Sequence, residues 1–115
     1  THGIEIIYAT ELDEMKASEV SDRIKERVGD KKAYLTFDID FLDPAYAPGT
    51  GTPVSGGPTV MAGRKILKGI TGLNIVGADL VEIAPAYDPI GGITAVAGAT
   101  LGGDILYLLS EALRR

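Results

Sequence analysis

Short apolar runs alternate three times with amphipathic stretches along this chain, and each alternation reads as a strand followed by a helix. Ile4–Ala9 (IEIIYA) is β-branched and aromatic, the composition of a strand. The Glu, Lys and Asp-rich stretch Glu11–Val28 follows it. There Val20, Ile24 and Val28 recur every four residues and make one narrow apolar face of a helix. Ser18 or Ser21 is the expected cap of its main part, and Gly29 the expected stop. The second unit opens with the strand Tyr34–Ile39 (YLTFDI) and enters a stretch from Asp43 to Pro58 that holds four of the six prolines and four glycines. A structureless segment of that length in a small domain is either functional or disordered. A helix is predicted from about Pro58-Thr59 to Lys68, closed by Gly69 and Gly72. The third unit is the strand Asn74–Ile83 (NIVGADLVEI). Its apolar residues lie on both faces, as in a central strand covered from both sides. After a Pro/Gly loop from Pro85 to Gly92, a last helix is predicted over Ile93–Leu113. Arg114 and Arg115 then stand where cations complement the helix dipole. Strands alternating with helices predict one α/β domain over residues 1–115, with parallel strands in layers.

Composition narrows the classes of function. With 45% hydrophobic and 23% charged residues the chain is globular rather than disordered. Its formal net charge of -5 argues against a nucleic-acid or anionic-membrane partner. The absence of cysteine excludes disulfides, thiolate catalysis and thiolate metal sites, and fits a cytoplasmic setting. No basic stretch followed by an apolar one opens the chain, so no signal peptide is expected. The longest apolar run, Ile93–Leu109, is interrupted by Thr94, Thr100, Gly102, Gly103 and Asp104. It is therefore expected to be a buried helix rather than a membrane span.

The chemistry-bearing feature is Asp38-Ile39-Asp40 at the C-terminal end of a predicted strand. Side chains two apart on a strand share a face, so both carboxylates are expected to project together. That edge of the sheet is where α/β proteins place ligands. Adjacent carboxylates repel unless a proton or cation lies between them, and a hard cation with oxygen ligands answers that need. An Asp-x-Asp alone also fits turn caps at Asp38 or Asp40, with Asp43 doing the same before Pro44.

The residues that follow make the signal specific. Thr36-Phe-Asp-Ile-Asp-Phe-Leu-Asp-Pro-Ala-Tyr-Ala-Pro-Gly-Thr-Gly-Thr-Pro-Val-Ser-Gly-Gly resembles the signature of the ureohydrolases, the family of arginase, agmatinase and guanidinobutyrase. Asn74 to Asp88 is similar to that family's next strand, and Ile93-Thr-Ala to the start of its final helix. The resemblance covers nearly the whole chain and is strongest to agmatinase-like members. It implies a parallel-sheet, three-layer α/β/α fold of the arginase type, present in part as three β–α units from the C-terminal portion. It further implies that Asp38 and Asp40 ligate a pair of Mn(II) ions, one of them bridging both ions or leaning toward one and the other binding one ion, and that Glu82 faces the substrate guanidinium. Thr52 is implied to lie near the substrate, while Asp43 reads as a structural turn residue. Glu82 also follows an apolar run, where a carboxylate needs a cation beside it, and a planar guanidinium is a good bidentate partner. A surface carboxylate at the strand's end is the plainer alternative. The implied reaction is hydrolysis of a small guanidino compound to urea and an amine. Manganese would supply hydroxide near neutral pH, and Asp38 would relay a proton to the leaving amine. A cytoplasmic homo-oligomer is expected of the complete enzyme, and the agmatinase likeness implies polyamine biosynthesis.

The chain departs from the family in ways that bear on activity. The histidine after a Gly-Gly-Asp, the Asp-x-His-x-Asp motif and the proton-shuttle histidine have no counterpart here. The single histidine is His2. Two aspartates do not satisfy two Mn(II) ions, which take roughly six ligands each. The 115 residues alone are expected to bind metal weakly and turn over little, either as part of a complete enzyme or as a non-catalytic remnant acting as an interaction module. After Tyr87-Asp88, Pro-Ile-Gly-Gly replaces a family triplet such as His-Ala-Glu, and Gly98, Gly102 and Gly103 interrupt the last helix. In the family's sheet, other strands separate the one matching Ile4–Ala9 from the one ending in Asp38. Unpaired strand edges, and self-association through them, are therefore expected.

Overall fold

Two of the three predicted strands form, and they pair with each other. In the computed structural model, which describes residues 3–114, β1 (Ala33–Asp38) and β2 (Ile75–Val81) run parallel. The helices are α1 (Ala9–Glu14), α2 (Ala17–Val28), α3 (Val60–Gly69) and α4 (Ile93–Leu113), with 3-10 turns at Ile39–Phe41 and Pro85–Tyr87. His2 and Arg115 lie outside the described residues.

Register explains the layers. Leu35 lies opposite Ala78 and Phe37 opposite Leu80, and these four side chains point into the core. Tyr34, Thr36 and Asp38 lie opposite Gly77, Asp79 and Val81 on the other face. That second face is polar and open. Tyr34 is 63% exposed, and its hydroxyl donates to the Asp79 carboxylate at 3.1 Å. The helices cover the first face. α4 lies on it through Thr94, Ala97, Gly98, Leu101, Ile105 and Leu108, a helical spacing of three and four. α3 adds Leu67, and α2 packs on α3 with Val20. Burying Leu101 completely stabilises the fold by roughly 1.5–3 kcal/mol.

Four expectations change. Residues 4–8 form no strand; they carry no regular structure, and Ala9 already begins α1. A strand exists through its ladder, and no strand among the described residues offers one to this segment. It is held instead by side chains: Arg23 donates to Glu5 at 2.7 and 3.1 Å, and Arg27 donates to the Gly3 carbonyl. The β–α units with a strand therefore number two, and helices cover one face of the sheet, so β2 is not covered on both sides; its Asp79 stands on the open face beside exposed Tyr34.

The stretch Glu11–Val28 holds the end of α1 and all of α2, parted at Met15 and Lys16, both extended. Lys16, not Ser18 or Ser21, is the N-cap of α2, and the Glu19 carboxylate reaches back to its N–H. Ser21 is buried; its hydroxyl lies 3.0 Å from the carbonyls of Ala17 and Ile66, joining α2 to α3. Finally, α4 is buried along one stripe and not all round. Val96, Leu106, Tyr107 and Leu113 are exposed, although the helix is long and apolar enough to cross a membrane by length and composition. Of its interior glycines, Gly98 is buried against Ile83 and Gly102 lies near Leu80, whereas Gly103 faces open space.

Candidate active site

Parallel pairing puts the C-terminal ends of β1 and β2 at one edge, with Asp38 opposite Val81 and Glu82 the next residue on. The chain leaves β1 through a 3-10 turn. Ile39 is fully enclosed in the core and Leu42 nearly so, which anchors the turn from below and leaves the flanking carboxylates on the rim. Asp38 and Asp40 are thus together, though not because both belong to a strand. Asp38 ends the strand, and its carboxylate caps the turn by accepting the Asp40 N–H at 3.1 Å. The cap role and the shared position, weighed as alternatives in the sequence, coexist.

Thr52 comes to this pair from twelve residues downstream. Its hydroxyl donates to the Asp40 carboxylate at 2.7 Å. Glu82 is exposed and has φ 71°, the single non-glycine residue at positive φ among the described residues. A side chain in that region costs free energy and persists only where its surroundings hold it. Partial loss of hydration raises the Asp38 carboxyl above its ordinary value. The Asp40 N–H opposes this, and the charges of Asp40 and Glu82 add to the rise. The four residues singled out in the sequence therefore meet at one edge: Asp38, Asp40 and Thr52 in a hydrogen-bonded chain, Glu82 within electrostatic reach.

The long Pro/Gly loop is ordered by backbone capture. Asp43 accepts the N–H groups of Ala45 and Gly56, both at 2.8 Å, which hold its carboxyl below the usual carboxylate range. Its own N–H donates to the Pro58 carbonyl at 3.0 Å, closing the base of the loop. Ala47, Gly49 and Thr50 are buried; the Thr50 hydroxyl has no hydrogen-bond partner. Further along, the Gly49 N–H donates to the Thr94 hydroxyl oxygen at 2.8 Å, and the Gly49 carbonyl accepts from the Ala84 N–H at 2.8 Å.

Asp88 is the functional-looking residue that pattern reading missed. Its carboxylate accepts the N–H groups of Thr94 and Ala95, both at 3.0 Å, at the start of α4. Partial desolvation works against ionisation, but hydrogen bonds from Thr94 and Ala95 outweigh it and hold the carboxyl below its ordinary value. Capping rules look at the residue beside the helix, which is Gly92 in a left-handed conformation. Asp88 stands four residues earlier and returns through the Pro89–Gly92 turn.

Asp38 and Asp40 fit a hard divalent cation in kind: all-oxygen donors, with an anion at Asp38 that its neighbours disfavour and a cation would favour. They fall short in number, since the described residues hold no group of three or more carboxylates, imidazoles or thiolates placed to bind one ion.

A sequence model of the arginase family matches residues 1–107. The chain belongs to the arginase family. It is 50% identical over 113 residues to an agmatinase of Photorhabdus laumondii, covering 98% of this chain and 36% of that protein. With an agmatinase of Serratia proteamaculans it shares 52% identity over 107 residues, 93% of this chain and 35% of the relative. Among solved structures, a hypothetical agmatinase from Burkholderia thailandensis superposes with a TM-score of 0.89 at 50% identity, over 93% of this chain and 34% of its own. The proclavaminate amidino hydrolase of Streptomyces clavuligerus superposes at 0.92 with 39% identity, over 96% and 36%. The arginase-like fold and the identification with agmatinase-like members therefore hold. This arginase-family chain spans about a third of the length of the relatives it matches.

Proposed function

We propose that this chain contributes one edge of the active site of a manganese-dependent, agmatinase-like ureohydrolase, which cleaves a guanidino compound to urea and an amine. The observation that carries the reading is the meeting of Asp38, Asp40, Thr52 and Glu82 at the C-terminal edge of a parallel sheet. Its sequence context is half identical to agmatinases. Asp38 and Asp40 would hold manganese together with ligands that these 115 residues do not carry. When bound, the metal supplies hydroxide at neutral pH for attack on the guanidinium carbon. Thr52 fixes the rotamer of Asp40 through its hydroxyl. Glu82 binds the planar guanidinium through paired charge-assisted hydrogen bonds. Asp38 would relay a proton to the leaving amine. The active form in this reading is a cytoplasmic homo-oligomer serving polyamine biosynthesis.

The test is a chimera in which this chain replaces the matching third of the Photorhabdus laumondii agmatinase. Urea release is measured with Mn(II) on agmatine, arginine and guanidinobutyrate. Release is expected with agmatine, and Glu82→Gln is expected to raise KM steeply. Asp38→Asn, with metal content unchanged and turnover unaffected, would rule out the proton relay. A folded, metal-loaded chimera that makes no urea favours the remnant reading, in which the chain is a non-catalytic interaction module.

A further inference from the structure

We propose that Thr94 is a positioning residue which, through Gly49, sets the spacing between the two halves of the site. The inference rests on the ureohydrolase reading of Asp38, Asp40 and Glu82 and adds a residue remote from all three. Gly49 is the only point described where the loop after β1 is tied to both the loop after β2 and the start of α4. Its N–H goes to the Thr94 hydroxyl and its carbonyl to the Ala84 N–H, each at 2.8 Å. Three residues beyond Gly49 is Thr52, which holds Asp40. Two residues before Ala84 is Glu82, in its left-handed conformation. One tie therefore spans the metal-binding carboxylate and the guanidinium carboxylate. It also supplies the restraint that the backbone of Glu82 requires, because a side chain at positive φ relaxes where nothing opposes it.

The tie is built to be stiff. Thr94 is fully buried, so its hydroxyl oxygen accepts without competition from water. Asp88 fixes the backbone of Thr94 from the other side by accepting its N–H. A side chain at Gly49 would meet the Asp88 side chain at 2.9 Å, so the approach of this loop to the loop that leads into α4 requires glycine. Thr94 belongs to neither the metal-binding nor the guanidinium-binding set and acts on both through Gly49.

Amide hydrogen exchange on the 115-residue chain provides the first test. Thr94→Val, which keeps shape and removes the acceptor, is expected to speed exchange at Gly49 and Ala84 at least tenfold. Amides of α2 and α3 should stay unchanged, and Thr94→Ser should restore protection. Asp88→Ala, a change outside the core, is expected to loosen the same two amides. The chimera provides the second: Thr94→Val should raise KM for agmatine about tenfold at unchanged manganese content, with Thr94→Ser near the parent value. Unchanged exchange at Ala84 in both Thr94→Val and Asp88→Ala, loosening spread equally over α2 and α3, or an unaltered KM would each overturn the proposal. A parent chimera that releases no urea would instead count against the ureohydrolase reading, and exchange at Gly49 and Ala84 would still decide the tie.

Discussion

Residues 4–8 lack the strand that their composition predicts, whereas residues 43–58, irregular as predicted, are held in place by hydrogen bonds. The first segment, Ile-Glu-Ile-Ile-Tyr, has strand composition and adopts no regular structure, with Ile4 and Tyr8 mostly exposed. The second, crowded with proline and glycine, has no strand or helix to speak of and is pinned at Asp43, Gly49, Thr52 and Gly56. Propensity is a local quantity, while order depends on whether backbone groups and apolar side chains find partners. The loop finds them on Pro58, Ala84 and α4; the N-terminal segment finds Arg23 at Glu5 and the first turn of α1 at Tyr8. The chain spans about a third of the length of the relatives it matches, and no strand among the described residues pairs with this segment.

The contrast can be broken most forcefully at the foot of the loop. Leu42 is 1% exposed, and Leu42→Ala is expected to cost about 2–5 kcal/mol, read as a shift in the urea unfolding midpoint. A loss below 1 kcal/mol would mean that the loop is not anchored in the core.

Acid should loosen the loop next. Asp43 and Asp88 have depressed carboxyl pKa values, so their contribution is present above the unfolded value of about 3.9 and is lost as pH falls through the folded values. Asp38 has the opposite sign: its contribution is full below that value and fades as pH rises through its raised folded pKa. Unfolding midpoints of Asp43→Asn and Asp38→Asn at pH 7 should therefore move in opposite directions, down and up. Mn(II) binding to the parent chain should oppose the penalty at Asp38. Midpoints moving the same way would break the assignment.

Thr50→Val is expected to stabilise the chain by about 1 kcal/mol, because it removes a buried hydroxyl that has no partner. Destabilisation measured by the same denaturant titration would show that the hydroxyl is used. The smallest effect belongs to the N-terminal segment, where Ile6→Ser should stay within about 0.5 kcal/mol, since Ile6 is 55% exposed and unpaired. A larger loss would mean that the segment packs more tightly than a free strand.

Much of the site was legible without coordinates. β1, β2, α3 and α4 follow from periodicity and punctuation, and α4 runs over the predicted residues Ile93–Leu113. The Asp-x-Asp pattern and its loop carried the family resemblance and, with it, Asp38, Asp40, Thr52 and Glu82. What was not legible involves contacts between residues distant in sequence. Ser21 reads as a helix cap but serves α3, forty-five residues away. Asp88 reads as a loop residue but caps α4 by folding back. The break at Met15–Lys16 has no proline or glycine to announce it.

The sequence by itself determined which residues are chemically suited to the site: two carboxylates beside an isoleucine that must be buried, a loop that cannot be helix or strand, and a carboxylate ending an apolar run. Those are properties of side chains and of short-range backbone sterics, which act wherever the chain goes. Only the tertiary structure decided that Asp38 and Glu82 share an edge, because that depends on β1 and β2 pairing in parallel and in one register. It alone decided that Thr52 reaches Asp40 and that Gly49 ties the two loops to Thr94. Such contacts are created by closure of long loops, and the free energy that closes them comes from the core beneath, not from the residues that meet.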